Sequence, residues 1–71
     1  MGRPQAVDVR DMLCAQALAR VARALERLQP GDALDIQYNA SDVKRDLMVW
    51  ARGSGCPVSE AGDGLLRVAK R

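Results

Sequence analysis

The residue best suited to chemistry in this chain is Cys14. The chain has two cysteines, Cys14 and Cys56, and no histidine. Cys14 follows an alternating apolar and polar run at residues 6–10, and from Ala15 onward the apolar residues have helical spacing. This change of period predicts that Cys14 lies at or beside the N-cap of a helix. Unpaired backbone N–H groups and the helix dipole favour negative charge at that position.

A thiol at a helix N-terminus is expected to act as a nucleophile. The helix should lower the pKa of Cys14 below the ~8.5 of a free thiol and so increase the reactive thiolate. Asp11 would oppose that ionisation, and Arg10 would offset Asp11. The alternative is that Cys14 only packs, because free cysteines are among the most buried residue types. Two cysteines without histidine cannot complete a four-ligand zinc site, so no metal is expected.

Length and composition restrict the class of protein. The 71 residues suffice for one domain with a modest aliphatic core, since Tyr38 and Trp50 are its only aromatic residues. The net charge of +2 is too small to indicate a nucleic-acid or lipid surface by itself. No apolar run approaches the ~18 residues of a membrane span, so a cytoplasmic location with free thiols is expected. The polar lead at residues 1–5 is expected to be loose.

The spacing of apolar residues predicts the elements that must hold Cys14. The alternating run is the first strand, and the helix that begins near Cys14 ends before Pro30 and Gly31. Residues 33–38 alternate again, and a second helix, capped by Asn39 or Ser41, reaches the glycines at its end. Two weaker strands follow, at residues 57–61 and 65–69, around the turn Gly62-Asp63-Gly64.

This order predicts an α+β fold, a two-layer sandwich with both helices on one face of a four-stranded mixed sheet. Strands that alternate with helices are joined by right-handed crossovers, and each predicted helix has only one apolar stripe. The same crossovers place both helix N-termini at one end of the sheet. Cys14 and Cys56 should therefore lie at opposite ends, too far apart for a disulfide. The open sheet face is expected to carry Asp8, Arg10, Asp35 and Gln37.

The sequence around Cys14 resembles the opening motif of the TusA family of small sulfur-carrier proteins, also called SirA-like. That motif reads Leu-Asp-x-x-Gly-Leu-x-Cys-Pro-x-Pro, and residues 7–17 align with it without a gap. The Asp and Cys keep their spacing, whereas the Gly and both prolines are replaced by Asp11, Ala15 and Ala17. The agreement covers nearly the whole chain, which would form a single domain of this family. It continues through Ala24-Leu25, Leu28, Pro30-Gly31-Asp32, Asp46-Leu47, Trp50 and Gly55. Cys56 stands where the family has a histidine.

The resemblance implies a sulfurtransferase that works as a persulfide carrier without a cofactor. The motif cysteine of that family accepts sulfane sulfur from a donor such as a cysteine desulfurase and passes it to an acceptor protein, for instance toward tRNA thiolation. Cys14 would be the catalytic residue, with no membrane involved. Without the prolines, Ala15 and Ala17 regain backbone N–H groups. These donors, with that of Gln16 and the charge of Arg10, would stabilise the persulfide.

Two alternatives to the carrier remain open on the sequence. A non-catalytic protein-interaction or regulatory module of the same fold would account for the missing prolines. An RNA-binding module would use Arg20, Arg23 and Arg27, which share a helix, but the chain has no aromatic residue suited to stacking on a base. A self-contained catalyst is disfavoured, because there is no histidine for proton transfer.

Overall fold

The computed structural model describes residues 5–71, and its elements follow the predicted order. They are β1 (Gln5–Asp8), α1 (Cys14–Glu26), β2 (Ala33–Gln37), α2 (Ser41–Gly53), β3 (Val58–Gly62) and β4 (Leu65–Ala69). The strand order is β1-β2-β4-β3, with β1 parallel to β2 and β4 antiparallel to both β2 and β3. Within the described residues, the predicted two-layer sandwich of two helices on a four-stranded mixed sheet is confirmed.

The core lies between the two helices and one face of the sheet. Leu34 and Ile36 of β2 are fully buried, and their partners in β4 are Val68 and Leu66. The helices cover this face with the buried residues Ala17, Val21 and Leu25 from α1 and Val43, Leu47 and Ala51 from α2. Burial of each large aliphatic side chain stabilises the fold by about 1.5–3 kcal/mol. The core is therefore aliphatic, as the composition predicts.

The ends of β1 differ from the prediction for local reasons. Gln5 belongs to β1, so its assignment to a loose lead was wrong; the residues before it lie outside the described part of the chain. Val9 lies beyond the strand but still donates its N–H to the carbonyl oxygen of Gln37 at 2.8 Å. Arg10 leaves the sheet because its N–H donates to the carboxylate of Asp8 at 3.0 Å, which closes a turn. Arg10 was therefore wrongly placed on the open sheet face.

The N-terminus of α2 has a different arrangement from the predicted side-chain cap. The N-cap residue is Ala40, which makes no side-chain capping hydrogen bond, and Ser41 is the first helical residue. The side chain of Asn39 instead forms hydrogen bonds with Asp11 in the loop before α1. A side chain that could have capped one helix thus joins the two loops from which both helices begin.

The C-terminus of α2 is a Schellman motif that includes the predicted glycine. Gly55 has a φ of +77° and donates its N–H to the carbonyl oxygen of Arg52 at 3.1 Å. The N–H of Cys56 donates to Ala51 at 2.9 Å, which completes the motif. These bonds fix Cys56 at the end of α2 opposite to the one that faces Cys14. Neither described helix is long and apolar enough to span a membrane.

Candidate functional site

Cys14 is the first residue of α1, and Leu13 is the N-cap. The first ladder hydrogen bond runs from the N–H of Ala17 to the carbonyl oxygen of Leu13 at 2.9 Å. The N–H groups of Ala15 and Gln16 precede that bond and so lie outside the helix ladder. The N–H of Ala17 is already used, and Ala17 is completely buried. This geometry gives no support to the predicted role of Ala17 as a persulfide-binding donor.

The N-cap residue brings an apolar side chain next to the thiol. Leu13 donates its N–H to Oε1 of Gln16 at 3.2 Å, but its own side chain cannot accept a bond in return, so only half of a capping box forms. The Leu13 side chain is 73% exposed, whereas Cys14 is partly exposed and packs against the edge of the core. The thiol thus lies at the surface beside an apolar side chain that a partner protein could cover.

Two carboxylates of α2 face the thiol of Cys14. Its Sγ lies 3.8 Å from Oδ2 of Asp42, within reach of a weak hydrogen bond from the thiol. Asp46, one helical turn further along α2, has the larger effect. Its hydrogen bond, followed by desolvation and the negative charges of Asp46 and Asp42, raises the pKa of Cys14 to about 11. The predicted lowering of this pKa was wrong, because the two carboxylates outweigh the helix N-terminus.

Arg10 pairs with Asp8 and not with the thiol of Cys14. Its Nε and an Nη donate to the two carboxylate oxygens of Asp8 at 3.0 and 2.9 Å. These side-chain hydrogen bonds, together with the backbone bond from Arg10, lower the pKa of Asp8 to about 2. The charge of Arg10 is therefore compensated within its own turn, and the geometry gives no support to its predicted role at Cys14.

Asp11 holds the loop before α1 in a left-handed conformation. Its φ is +62°, in a region that residues with a side chain adopt at a cost. Asn39 compensates in part, because it accepts the N–H of Asp11 at 3.0 Å and donates to a carboxylate oxygen of Asp11 at 2.8 Å. The glycine of the TusA-like motif falls at this position. The conformation explains that glycine, and the Asn39 pair explains how an aspartate can replace it.

Asp42 and Asp46 are the site residues that the sequence analysis missed. Asp46 was named only among the residues shared with the family, and Asp42 was not singled out. A usable signal was present, because crossovers that bring both helix N-termini to one end of the sheet also bring Asp42 toward Cys14. Within residues 5–71, no group of three or more His, Cys, Asp or Glu side chains is arranged to hold a metal ion.

Comparison with known proteins agrees with this geometry. The family model described as "Sulfurtransferase TusA" matches residues 5–69. A relative from Bacillus subtilis (strain 168), named "Putative sulfur carrier protein YrkI", is 24% identical over 63 residues, which cover 89% of this chain and 84% of the relative. No solved structure gave a significant match. Because the family model spans every described element, with Cys14 at the start of the first helix, this protein belongs to the TusA sulfurtransferase family.

Proposed function

We propose that this protein is a sulfur carrier that accepts sulfane sulfur as a persulfide on Cys14 and relays it to an acceptor protein. Family membership supports this proposal, and so does the name of the Bacillus relative. The observation that carries it is the position of Cys14, partly exposed at the first residue of α1. The N–H groups of Ala15 and Gln16 lie beside it, outside the helix ladder, and can donate to an anionic sulfur.

Loading would transfer the terminal sulfur of a donor persulfide, for example that of a cysteine desulfurase. The Cys14 thiolate attacks this sulfur, the S–S bond of the donor breaks, and the donor cysteine leaves as a thiolate. Cys14 then carries an S–SH group. Unloading, to an acceptor in a pathway such as tRNA thiolation, repeats the step with the acceptor thiolate as the nucleophile. Atoms and electrons balance in both steps without a redox cofactor.

The carboxylates of α2 impose a condition on this chemistry. They hold the Cys14 thiol protonated in the free carrier, because its pKa is raised to about 11. The thiolate that attacks the donor must therefore form in the complex, where positive groups of the donor can offset Asp42 and Asp46. The proton can pass to the departing donor thiolate. This condition would also protect the free carrier, since oxidation of cysteine depends on its thiolate character.

A second candidate function is a non-catalytic interaction module that kept the fold and lost the transfer chemistry. The raised pKa of Cys14 favours this candidate, and so do Ala15 and Ala17 in place of the motif prolines. The module would bind partner proteins through the same end of the sheet, with Leu13 as an apolar contact. It would not take up sulfur.

Intact mass after incubation with a cysteine desulfurase and cysteine distinguishes the two candidates. The carrier should gain the mass of one sulfur atom, and a thiol reductant should remove it. Cys14→Ser should abolish the gain, whereas Cys56→Ser, the matched change at the other end of the sheet, should leave it intact. Binding of the desulfurase without any mass gain in the unchanged chain would contradict the carrier and support the interaction module.

A further inference from the structure

A second surface lies along the open edge of the sheet, beside α1. β1 is the first strand in the sheet order and, within the described residues, it pairs only with β2. A groove runs between β1 and α1, with Val7, Leu28 and Leu34 among the residues that line it. An edge strand has unpaired N–H and C=O groups that can take a strand from another chain. The groove thus combines a strand template with an apolar floor.

The backbone of β1 is oriented to receive such a strand. Val9 donates its N–H toward β2, to Gln37, and the direction of N–H groups alternates along an extended chain. The N–H of Val7 therefore also faces β2, whereas the N–H groups of Ala6 and Asp8 face the open edge. Ala6 is exposed and lines the groove. Its N–H and C=O are the central pair that an added strand would use.

The helix side of the groove is positively charged. Arg20 and Arg23 of α1 line it together with Arg27, the C-cap of that helix, and all three are exposed. Their spacing of three and four residues places them along one face of the helix. None of them takes part in the ion pairs formed among residues 5–71. An occupant of the groove would therefore find three positive charges outside those ion pairs, in the second half of α1 and at its C-cap.

We propose that the edge of β1 together with Arg20, Arg23 and Arg27, here called the arginine groove, binds an extended acidic segment of a partner protein as an added strand. Alternate side chains of that strand would point toward the helix layer, where acidic ones meet the arginines. This surface goes beyond the proposed sulfur relay, because it does not use Cys14. Gln16 also lines it, so a bound segment would hold its protein beside the thiol.

The observations disfavour the other occupants of the arginine groove. A second copy of this chain would bring two sets of arginines together along the new pair of strands, and like charges repel. A nucleic acid would satisfy the charge, but no aromatic residue lines the groove to stack on a base. An acidic strand satisfies both the charge and the unpaired backbone groups.

The test uses a fluorescent peptide of about six alternating glutamate and valine residues, matched to the length of an average strand. Fluorescence anisotropy at low salt should show saturable binding to the full chain, weakened by added salt. A triple Arg→Gln variant of the arginine groove should bind at least about tenfold more weakly. The control variant removes the same amount of charge elsewhere, with the substitutions Arg45→Gln, Arg52→Gln and Arg71→Gln. It should bind the peptide within about twofold of the unchanged chain.

Ala6→Pro tests the added strand itself. Proline removes the N–H of Ala6, which faces the open edge, and leaves the bonds to β2, so the fold should tolerate it. Circular dichroism checks the fold, and affinity for the peptide should fall by about fivefold. Unchanged affinity in a folded Ala6→Pro variant would show that charge alone binds the peptide, and would overturn strand addition.

Three further outcomes would overturn the proposal. They are no binding up to about 1 mM peptide, tighter binding of a single-stranded oligonucleotide than of the peptide, and self-association that Ala6→Pro abolishes. Cys14→Ser should bind the peptide as the unchanged chain does, while it loses sulfur loading. The arginine groove and the proposed relay therefore fail or succeed in separate measurements.

Discussion

At Cys14, the helix N-terminus and the carboxylates of α2 act on the same thiol in opposite directions. The N-terminus of α1 contributes roughly half a positive charge, which favours the thiolate. The carboxylates of Asp46 and Asp42 repel a negative charge on the sulfur, and either can accept the single hydrogen bond of the protonated thiol. The carboxylates therefore dominate, and the free protein presents a thiol whose nucleophilicity depends on what a partner brings to it.

The first prediction concerns the ionisation of this thiol. In a Cys56→Ser background, the rate of Cys14 alkylation should rise with pH toward a midpoint at about 11, because Asp46 and Asp42 raise its pKa. Asp46→Asn should lower that midpoint, whereas Glu26→Gln, at the far end of α1, should not. A midpoint below that of a free thiol would contradict the geometry of the two carboxylates.

The same shift predicts how stability depends on pH. The pKa of Cys14 is higher in the folded than in the unfolded state, so the unfolded state loses its thiol proton first as pH rises. The stabilisation that this pKa difference gives the folded state is fully present below the pKa of an unfolded cysteine. It is lost as the pH rises to about 11. Urea unfolding at neutral and alkaline pH should show a smaller alkaline loss in Cys14→Ser. An equal loss in both proteins would contradict the shift.

At the scale of elements, the start of α1 separates the two alanines that replace the motif prolines. The N–H of Ala15 lies outside the helix ladder, whereas that of Ala17 donates to Leu13 at 2.9 Å from a completely buried residue. Ala15→Pro should change the free energy of unfolding by less than about 1 kcal/mol. Ala17→Pro should cost about 1–3 kcal/mol, through the lost bond and the larger buried side chain.

Urea unfolding of both proline variants measures this difference. A fold that tolerates Ala17→Pro as well as Ala15→Pro would show that the first turn of α1 can shift to the register that the motif prolines require. The double variant should then regain the motif without loss of stability. Equal and large losses at both positions would instead show that this loop does not share the backbone of the family motif.

The loops before α1 and α2 form a second coupled element. Asp11 has a φ of +62° and exchanges two hydrogen bonds with Asn39. Asp11→Ala should destabilise the fold by about 1–2 kcal/mol, because the left-handed conformation stays costly and the side-chain bond is lost. Asp11→Gly should be close to neutral, since glycine removes that cost.

Thermal or urea unfolding of the two Asp11 variants, each with and without Asn39→Ala, forms a double-mutant cycle. The coupling between Asp11 and Asn39 should be about 0.5–1.5 kcal/mol, as for an exposed hydrogen-bonded pair. Equal stability of Asp11→Ala and Asp11→Gly would contradict the left-handed conformation of this residue.

At the scale of the whole molecule, the two cysteines lie at opposite ends of the sheet. Cys14 lies beside Asp42 in the first turn of α2, and Cys56 follows the last turn of the same helix. That helix has 13 residues and spans about 20 Å, whereas a disulfide needs Cα atoms within about 7 Å. A peptide map of oxidised native monomer should therefore contain no intramolecular link between the two cysteines. Such a link would contradict the sheet topology.

The sequence by itself determined the order of elements, the aliphatic core and the position of Cys14 at a helix start. Periods of two and of three to four residues depend on which face of each element is buried, and they can be read locally. The end of β1 and the cap of α2 differ from the prediction because nearby side chains formed other hydrogen bonds. The Asp8 carboxylate bonds the N–H of Arg10, and Asn39 turns to Asp11 instead of capping α2.

Only the tertiary structure decided the chemistry around the thiol. The local sequence offers Cys14 a helix N-terminus and the charge of Arg10, which together predicted a lowered pKa. The packing of α1 beside α2 brings Asp42 and Asp46 to the thiol from 28 and more residues away, and it leaves Arg10 with Asp8. A pKa depends on every charge within a few ångströms, whichever part of the chain supplies it. That is why the sequence located the cysteine but not its reactivity.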